Sequence, residues 1–134
     1  MPDVTFDLYR PADLPLLDAA AWRDIQNTTR AFANPLFSQG YVAAVAAVRD
    51  DVQVAVYRRT GVAIAFLAFH KRPGGLARPI GAPFSDYQGI VSKGPIGFTG
   101  ARALALAGLG AIRFNGLVDP FGLFAGVASG VQEA

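Results

Sequence analysis

Two short polar clusters in an otherwise apolar sequence contain residue types that could do chemistry. The first is Asn34-Pro35-Leu36-Phe37-Ser38, and the second is Phe84-Ser85-Asp86-Tyr87-Gln88-Gly89. A carboxylate beside a phenol and an amide, as at Asp86, Tyr87 and Gln88, can orient a sugar or an amine or accept a proton. The second cluster also has a structural interpretation, in which Asp86 forms an Asx-turn and Tyr87 packs against a sheet. Residue types alone favour the structural interpretation.

The first cluster can likewise be explained by local structure. Pro35 forces an extended or turn conformation at Asn34. Phe37 can pack ahead of the following helix, and Ser38 is a good N-cap for it. None of these roles requires a ligand.

Other kinds of catalytic site have little support in the sequence. With no cysteine in the chain, disulfides, thiolate nucleophiles and cysteine zinc sites are excluded. The one histidine, His70, has no histidine or cysteine partner, so we expect a solvated or core-edge residue and no metal site. A serine hydrolase would need His70 as its base, and the sequence has no Gly-x-Ser-x-Gly elbow. Gly108 and Gly110 end a predicted helix, whereas a phosphate cradle begins one.

Composition describes one domain, residues 1–134, with an apolar character. Hydrophobic residues make up 52% and charged residues only 16%, so either abundant Ala and Gly inflate the count or a partner covers an apolar surface. The net charge is +2, and basic residues cluster only at Arg58-Arg59 and His70-Lys71-Arg72. We expect these clusters to be solvated strand ends and turns, and we expect no nucleic-acid interface. The sequence shows no signal peptide and no transmembrane run, so a cytoplasmic location is expected.

The first part of the chain is predicted to contain a strand, two helices and a hairpin. The predicted elements are a half-buried strand at Val4–Arg10, a helix capped by Asp13 with Leu14, Leu17, Ala21, Trp22 and Ile25 on its apolar face, a helix from Gln39 to Val48 capped by Ser38, and strands at Val52–Arg59 and Val62–Phe69. Thr60-Gly61 between the two strands is typical of a tight hairpin turn.

The second part is predicted to alternate short strands and helices. The predicted elements are a short strand at Leu76–Ile80, a strand at Tyr87–Ser92, a helix from Gly100 to Leu109 between Thr99 and Gly110 as caps, a strand at Ala111–Val118 and a Gly-rich helix at Phe121–Gln132. This order predicts the α/β class, with a mixed sheet flanked by helices in three layers (α/β/α) or two.

In order and spacing, these elements resemble the N-terminal half of the CelD/BcsL group of GNAT-like acyltransferases, which are relatives of the FemAB aminoacyltransferases. The similar stretches are Trp22 in the first helix, Asn34 to Tyr41, Gly61 to His70, Ser85 to Val91 and Asn115 to Pro120. The resemblance covers most of the chain, from about Leu16 to Pro120.

This resemblance implies a GNAT-like fold and transfer of an acyl group from acyl-CoA to a sugar or amine acceptor in exopolysaccharide or cell-envelope biosynthesis. It implies a catalytic role for Asp86, and acceptor binding by Tyr87, Asn34 and Phe37. Such enzymes position the acceptor near a thioester and need no dedicated nucleophile. The acyl-CoA site of the family belongs to its C-terminal half, whose Gly-rich turn this sequence lacks, so the chain alone is expected to be inactive. No metal is implied.

The partners implied are a C-terminal GNAT half or a second copy, bound through an apolar face, and a sugar or lipid-linked glycan acceptor. A different function is also open. The chain can be a non-catalytic, degenerate GNAT-like module that binds a partner or a glycan, or that dimerises.

Overall fold

A computed structural model of the chain describes residues 4–80, 89–94, 96–109, 111–112 and 117–124. Within them lie six strands: β1 (Val4–Tyr9), β2 (Val52–Arg59), β3 (Val62–Arg72), β4 (Leu76–Pro79), β5 (Val91–Ser92) and β6 (Ala111–Ile112). Three α-helices accompany them: α1 (Leu16–Thr28), α2 (Gln39–Ala46) and α3 (Gly100–Leu106). The predicted α/β class is therefore confirmed.

The strands form one mixed sheet in the order β1-β2-β3-β4-β6. The β4–β6 pair is parallel, and the other pairs are antiparallel. β5 pairs with the same edge of β3 as β4. It does so nearer the start of β3, at Ala65 and Phe66, whereas β4 pairs at Phe69–Arg72. β4 and β5 thus lie along one edge of β3, with Leu67 and Ala68 between the residues of β3 that they pair with.

Helices cover both faces of the sheet, which gives three layers. On one face, α1 and α2 supply buried Trp22, Ile25 and Val42, which pack with alternate β2 residues such as Val54. On the other face, α3 contributes Ala103, which packs in the same core as Tyr57. The alternation of β2 side chains between two cores explains why this strand is almost entirely buried.

Tyr57 ties α3 to the sheet. Its hydroxyl donates a 2.7 Å hydrogen bond to the carbonyl oxygen of Ala103. Burial raises the pKa of Tyr57 well above its usual value, because the ionised phenol would be poorly solvated in the core.

The predicted hairpin is present with the predicted two-residue loop. Arg59 pairs with Val62, and both loop residues have positive φ, 51° at Thr60 and 80° at Gly61. Positive φ at both positions is the type I′ geometry that matches strand twist. A register shift follows between Tyr57 and Arg58, and β3 runs beyond its predicted end to Arg72.

Thr60 is the residue that adopts this conformation least readily, because β-branched residues are disfavoured at positive φ. We expect Thr60→Asn to raise the free energy of unfolding by about 1 kcal/mol, since asparagine tolerates the left-handed region. Urea denaturation measures the change. Thr29→Asn is the matched control, because Thr29 is extended at φ −121° and should change stability little. Equal effects at the two positions would contradict the account.

Two predicted helix boundaries are wrong. Asp13 does not cap α1: it ends a 3-10 turn at Pro11–Asp13, and α1 begins after Pro15 with no side-chain cap. α3 ends before Gly108, whose φ of 78° and N–H bond to Ala105 complete a Schellman-type ending. The predicted cap Gly110 lies outside the described residues.

The predicted helix at Phe121–Gln132 does not begin where expected. Phe121–Phe124 forms turns instead, because the Asp119 carboxylate accepts hydrogen bonds from the N–H groups of Leu123 and Phe124, both at 2.9 Å. The rest of that segment lies outside the described residues.

Candidate functional site

The Asn34–Ser38 cluster builds two consecutive caps. The Asn34 side-chain oxygen accepts the N–H of Leu36 at 2.9 Å and begins a 3-10 turn at Pro35–Phe37. The Ser38 hydroxyl then accepts the N–H of Tyr41 at 3.1 Å and begins α2. The predicted structural roles of the first cluster are therefore correct for the side-chain oxygens of Asn34 and Ser38. These two caps fix the turn at Pro35–Phe37 ahead of α2.

Phe37 fixes that turn to the rest of the fold. Its side chain is buried and meets Phe32 edge to face, with ring centroids 5.2 Å apart. Its carbonyl oxygen accepts a 2.8 Å hydrogen bond from the indole nitrogen of Trp22. Trp22 in turn stacks on Phe66 of β3 at 5.0 Å. The turn, α1 and the sheet thus share one aromatic contact network.

A small cavity lies beneath this turn, between β4 and β5. Among the residues that the structure describes, β4 pairs with β3 as far as Phe69 and β5 pairs from Phe66, so Leu67 and Ala68 lie between the two pairings. The cavity volume is about 20 Å³, room for one water-sized group. Its lining joins the turn to both strands: Trp22, Leu36, Phe37, Val42, Leu67, Ala68, Pro79, Ile80, Gly89 and Val91.

This arrangement relates the two polar clusters to each other. Phe37 lines the cavity directly, and Asn34 begins the turn that carries it. Ile80, which precedes the second cluster, and Gly89, which ends it, line the same cavity. Asp86 and Tyr87 themselves lie outside the described residues.

Gly89 belongs to the second cluster and has a steric reason to be glycine. A Cβ atom at this position would meet the carbonyl oxygen of Val118. Because that obstacle is backbone, a side chain could not be accommodated by a simple rotamer change. The end of the second cluster is therefore in close contact with Val118, the last residue of the predicted strand Ala111–Val118.

His70 and Asp51 form a hydrogen-bonded pair on the face of β3 that carries the cavity residue Ala68. His70 is buried, and its Nδ1 lies 2.8 Å from Oδ1 of Asp51. Asp51 also accepts a 2.6 Å hydrogen bond from Arg49. Side chains two residues apart on a strand share a face, so His70 is about 7 Å along β3 from Ala68 of the cavity. His70 is therefore a core-edge residue, one of the two positions expected for it, and it departs from the solvated strand end expected of the His70-Lys71-Arg72 cluster.

The electrostatics of the pair favour an ionised carboxylate. Burial alone would raise the pKa of Asp51, but the hydrogen bond and charge of His70, together with those of Arg49, outweigh burial and lower it. An ionised carboxylate only accepts hydrogen bonds, so His70 donates through Nδ1.

The lowered pKa of Asp51 predicts a pH-dependent stability. In the unfolded chain the carboxyl titrates near 3.8, and in the folded chain below it. The stabilisation is therefore complete above pH 3.8 and is lost as the pH falls through the folded pKa. We expect the difference in unfolding free energy between wild type and Asp51→Asn to shrink steadily in acid. Asp50→Asn, at an exposed neighbour, should differ from wild type little at any pH, and a pH-independent difference at Asp51 would contradict the account.

Arg58, which was expected at a solvated strand end, is instead largely buried. Its side chain is 16% exposed and donates to both oxygens of buried Asp18, at 2.7 and 2.8 Å. It also donates to Asp7 at 2.8 Å and to the Tyr9 hydroxyl at 3.0 Å. The hydrogen bonds to Asp18 are the main reason why the pKa of Arg58 rises above its usual value. Arg58 of β2 thus links α1, through Asp18, to β1, through Asp7 and Tyr9, and has a structural role.

Within the described residues, no group of three or more His, Cys, Asp or Glu side chains could hold a metal ion. In the same part of the chain, no helix combines the length and the apolar character needed to cross a membrane. Comparisons with protein-family models, curated proteins and solved structures found no match for this chain.

Proposed function

We propose that this domain is a GNAT-like N-terminal half of an acyltransferase and that it holds the acceptor. The observation that carries the proposal is the shared cavity: Phe37 of the first polar cluster lines it together with Gly89 of the second. Residues from two clusters that are far apart in sequence thus line the same cavity. The three-layer fold is consistent with the GNAT-like fold that the resemblance implies.

The roles follow from residue chemistry. Asp86 and Tyr87 orient a sugar hydroxyl or an amine, and Asn34 and Phe37 of the turn bind the acceptor beside the cavity. The acyl-CoA donor is contributed by a second GNAT-like half. The cavity itself admits only a water-sized group, so the acceptor ring sits at its mouth and a single substituent enters.

We assign acceptance of the proton to the Asp86 carboxylate. The acceptor oxygen or nitrogen attacks the thioester carbonyl, a new ester or amide bond forms, the C–S bond breaks and the CoA thiolate leaves. The proton lost by the acceptor passes to a carboxylate oxygen of Asp86.

The proposal is tested by thiol release from acetyl-CoA in the complete gene product, with oligosaccharide acceptors and a thiol reagent. This domain contributes no background because it has no cysteine. We expect Asp86→Asn to reduce acceptor-dependent release by about 100-fold or more. Asp50→Asn is the matched control and should leave the rate unchanged. Absence of acceptor-dependent release in the wild type, or full activity of Asp86→Asn, would contradict the proposal.

A non-catalytic docking or dimerisation module is the second candidate, and exposed leucine and valine side chains favour it. Leu16 and Leu17, at the start of α1, are 88% and 85% exposed, and Val48, just after the end of α2, is 80% exposed. The predicted apolar face of α1 had included Leu17, which instead faces solvent. Sedimentation of wild type beside Leu16→Glu/Leu17→Glu tests this candidate: a wild-type dimer that the variant loses would support it.

A further inference from the structure

A second cavity, larger than the first and sharing no lining residue with it, lies at the tip of the β2–β3 hairpin. It is bounded by the C-terminal half of α1, by the start of β3 and by the residues after β5. Its volume is about 380 Å³. Cavities of this size bind small organic molecules. Nothing in the acyl-transfer proposal uses it.

The floor of this cavity is apolar. Ile25 and Ile96 are buried beneath it, at 3% and 2% exposure, while Val62 at its rim is 63% exposed. Covering Val62 would remove apolar surface from water, so the cavity favours a ligand with an apolar body.

The polar groups of the cavity are mostly cationic. Arg59 is held at the wall by donating a hydrogen bond to the carbonyl oxygen of Ile96. Lys93 stands at the rim, 3.3 Å from Asp24, with both side chains more than half exposed. Such an exposed ion pair contributes little and opens readily. Among the described lining residues, two cations therefore face one carboxylate.

We propose that this cavity binds a compact amphipathic anion, a carboxylate or sulfonate on an aromatic or short aliphatic body. The apolar body lies over Ile25 and Val62, and the anionic group replaces Asp24 as the partner of Lys93, beside Arg59. The inference is independent of the acyl-transfer proposal, because it concerns different residues and needs no acyl donor.

The test compares two probes with similar aromatic bodies. One is 8-anilinonaphthalene-1-sulfonate, which is anionic, and the other is N-phenyl-1-naphthylamine, which is neutral. Fluorescence titration of the folded chain should show saturable binding of the sulfonate and roughly tenfold weaker binding of the neutral probe, since charge-assisted hydrogen bonds are absent. Failure of the sulfonate to bind, or equal binding of both probes, would overturn the proposal.

Variants locate the binding. Lys93→Glu should weaken sulfonate binding about tenfold or more, and Lys71→Glu, at the other lysine of the chain, should not. Ala63→Phe should fill the cavity and abolish binding of both probes. Because Ala63→Phe can also disturb the hairpin, amide chemical-shift changes on the wild type give an independent readout. Shifts at Asp24, Ile64 and Lys93 support the site, whereas shifts confined to α2 overturn it.

Discussion

Replacing Arg58 with methionine should lower the free energy of unfolding by about 3–5 kcal/mol, the range for breaking a buried ion pair on one side. Arg58 satisfies both oxygens of Asp18, and Asp18 is only 4% exposed. Without the guanidinium, the carboxylate either stays buried without its cation or must take up a proton, and both alternatives destabilise the fold. Urea or thermal denaturation measures the loss.

Two variants separate this mechanism from a general loss of charge. Arg10→Met removes an arginine whose ion pair with Asp13 is exposed, at 77% and 57%, so its effect should be small. The double variant Arg58→Met/Asp18→Leu should recover much of the lost stability, because no unpaired carboxylate remains. If Arg58→Met lost no more unfolding free energy than Arg10→Met, the structural role of the Arg58–Asp18 pair would be contradicted.

Replacing His70 with alanine should lower the free energy of unfolding by about 2–4 kcal/mol, because the change opens a cavity at a buried position and removes a hydrogen-bond partner of Asp51. His70 is only 1% exposed, and its Nδ1 lies 2.8 Å from Oδ1 of Asp51. Urea denaturation measures the loss.

Two variants separate the loss of this pair from a general effect of substitution at the end of β3. His70→Gln should lose much less stability than His70→Ala, because glutamine can still donate a hydrogen bond to Asp51 and fills part of the same space. Lys71→Ala, at an exposed neighbouring position, should change stability little. A loss at His70→Ala no larger than the loss at Lys71→Ala would contradict the role of the pair.

The sequence predicted local structure well where a single residue determines it. Ser38 and Thr99 cap the helices that they were expected to cap, through bonds to Tyr41 and Arg102. Thr60-Gly61 fixed the hairpin loop because backbone geometry at a two-residue turn depends on those residues alone.

The charged contacts could not be predicted in the same way, because they depend on strand register and on packing between distant elements. Asp18 offered one clue, since helical spacing places it on the face of Trp22 and Ile25, where a carboxylate needs a cation. His70 offered another: the hairpin register pairs Val52 with His70, which brings the preceding residue, Asp51, within reach. A register shift near Arg58 makes such counting uncertain from sequence alone.

The central claim is that the two polar clusters form one acceptor site, and amide chemical-shift mapping with oligosaccharides tests it most directly. The isotope-labelled chain is titrated with neutral glucose- and N-acetylglucosamine-based oligomers, and Tyr87→Phe serves as the comparison. The account predicts saturable shifts at Leu36, Phe37, Ala68 and Gly89, with weaker binding by the variant. Shifts that avoid these positions, or no binding by any oligomer, would contradict it.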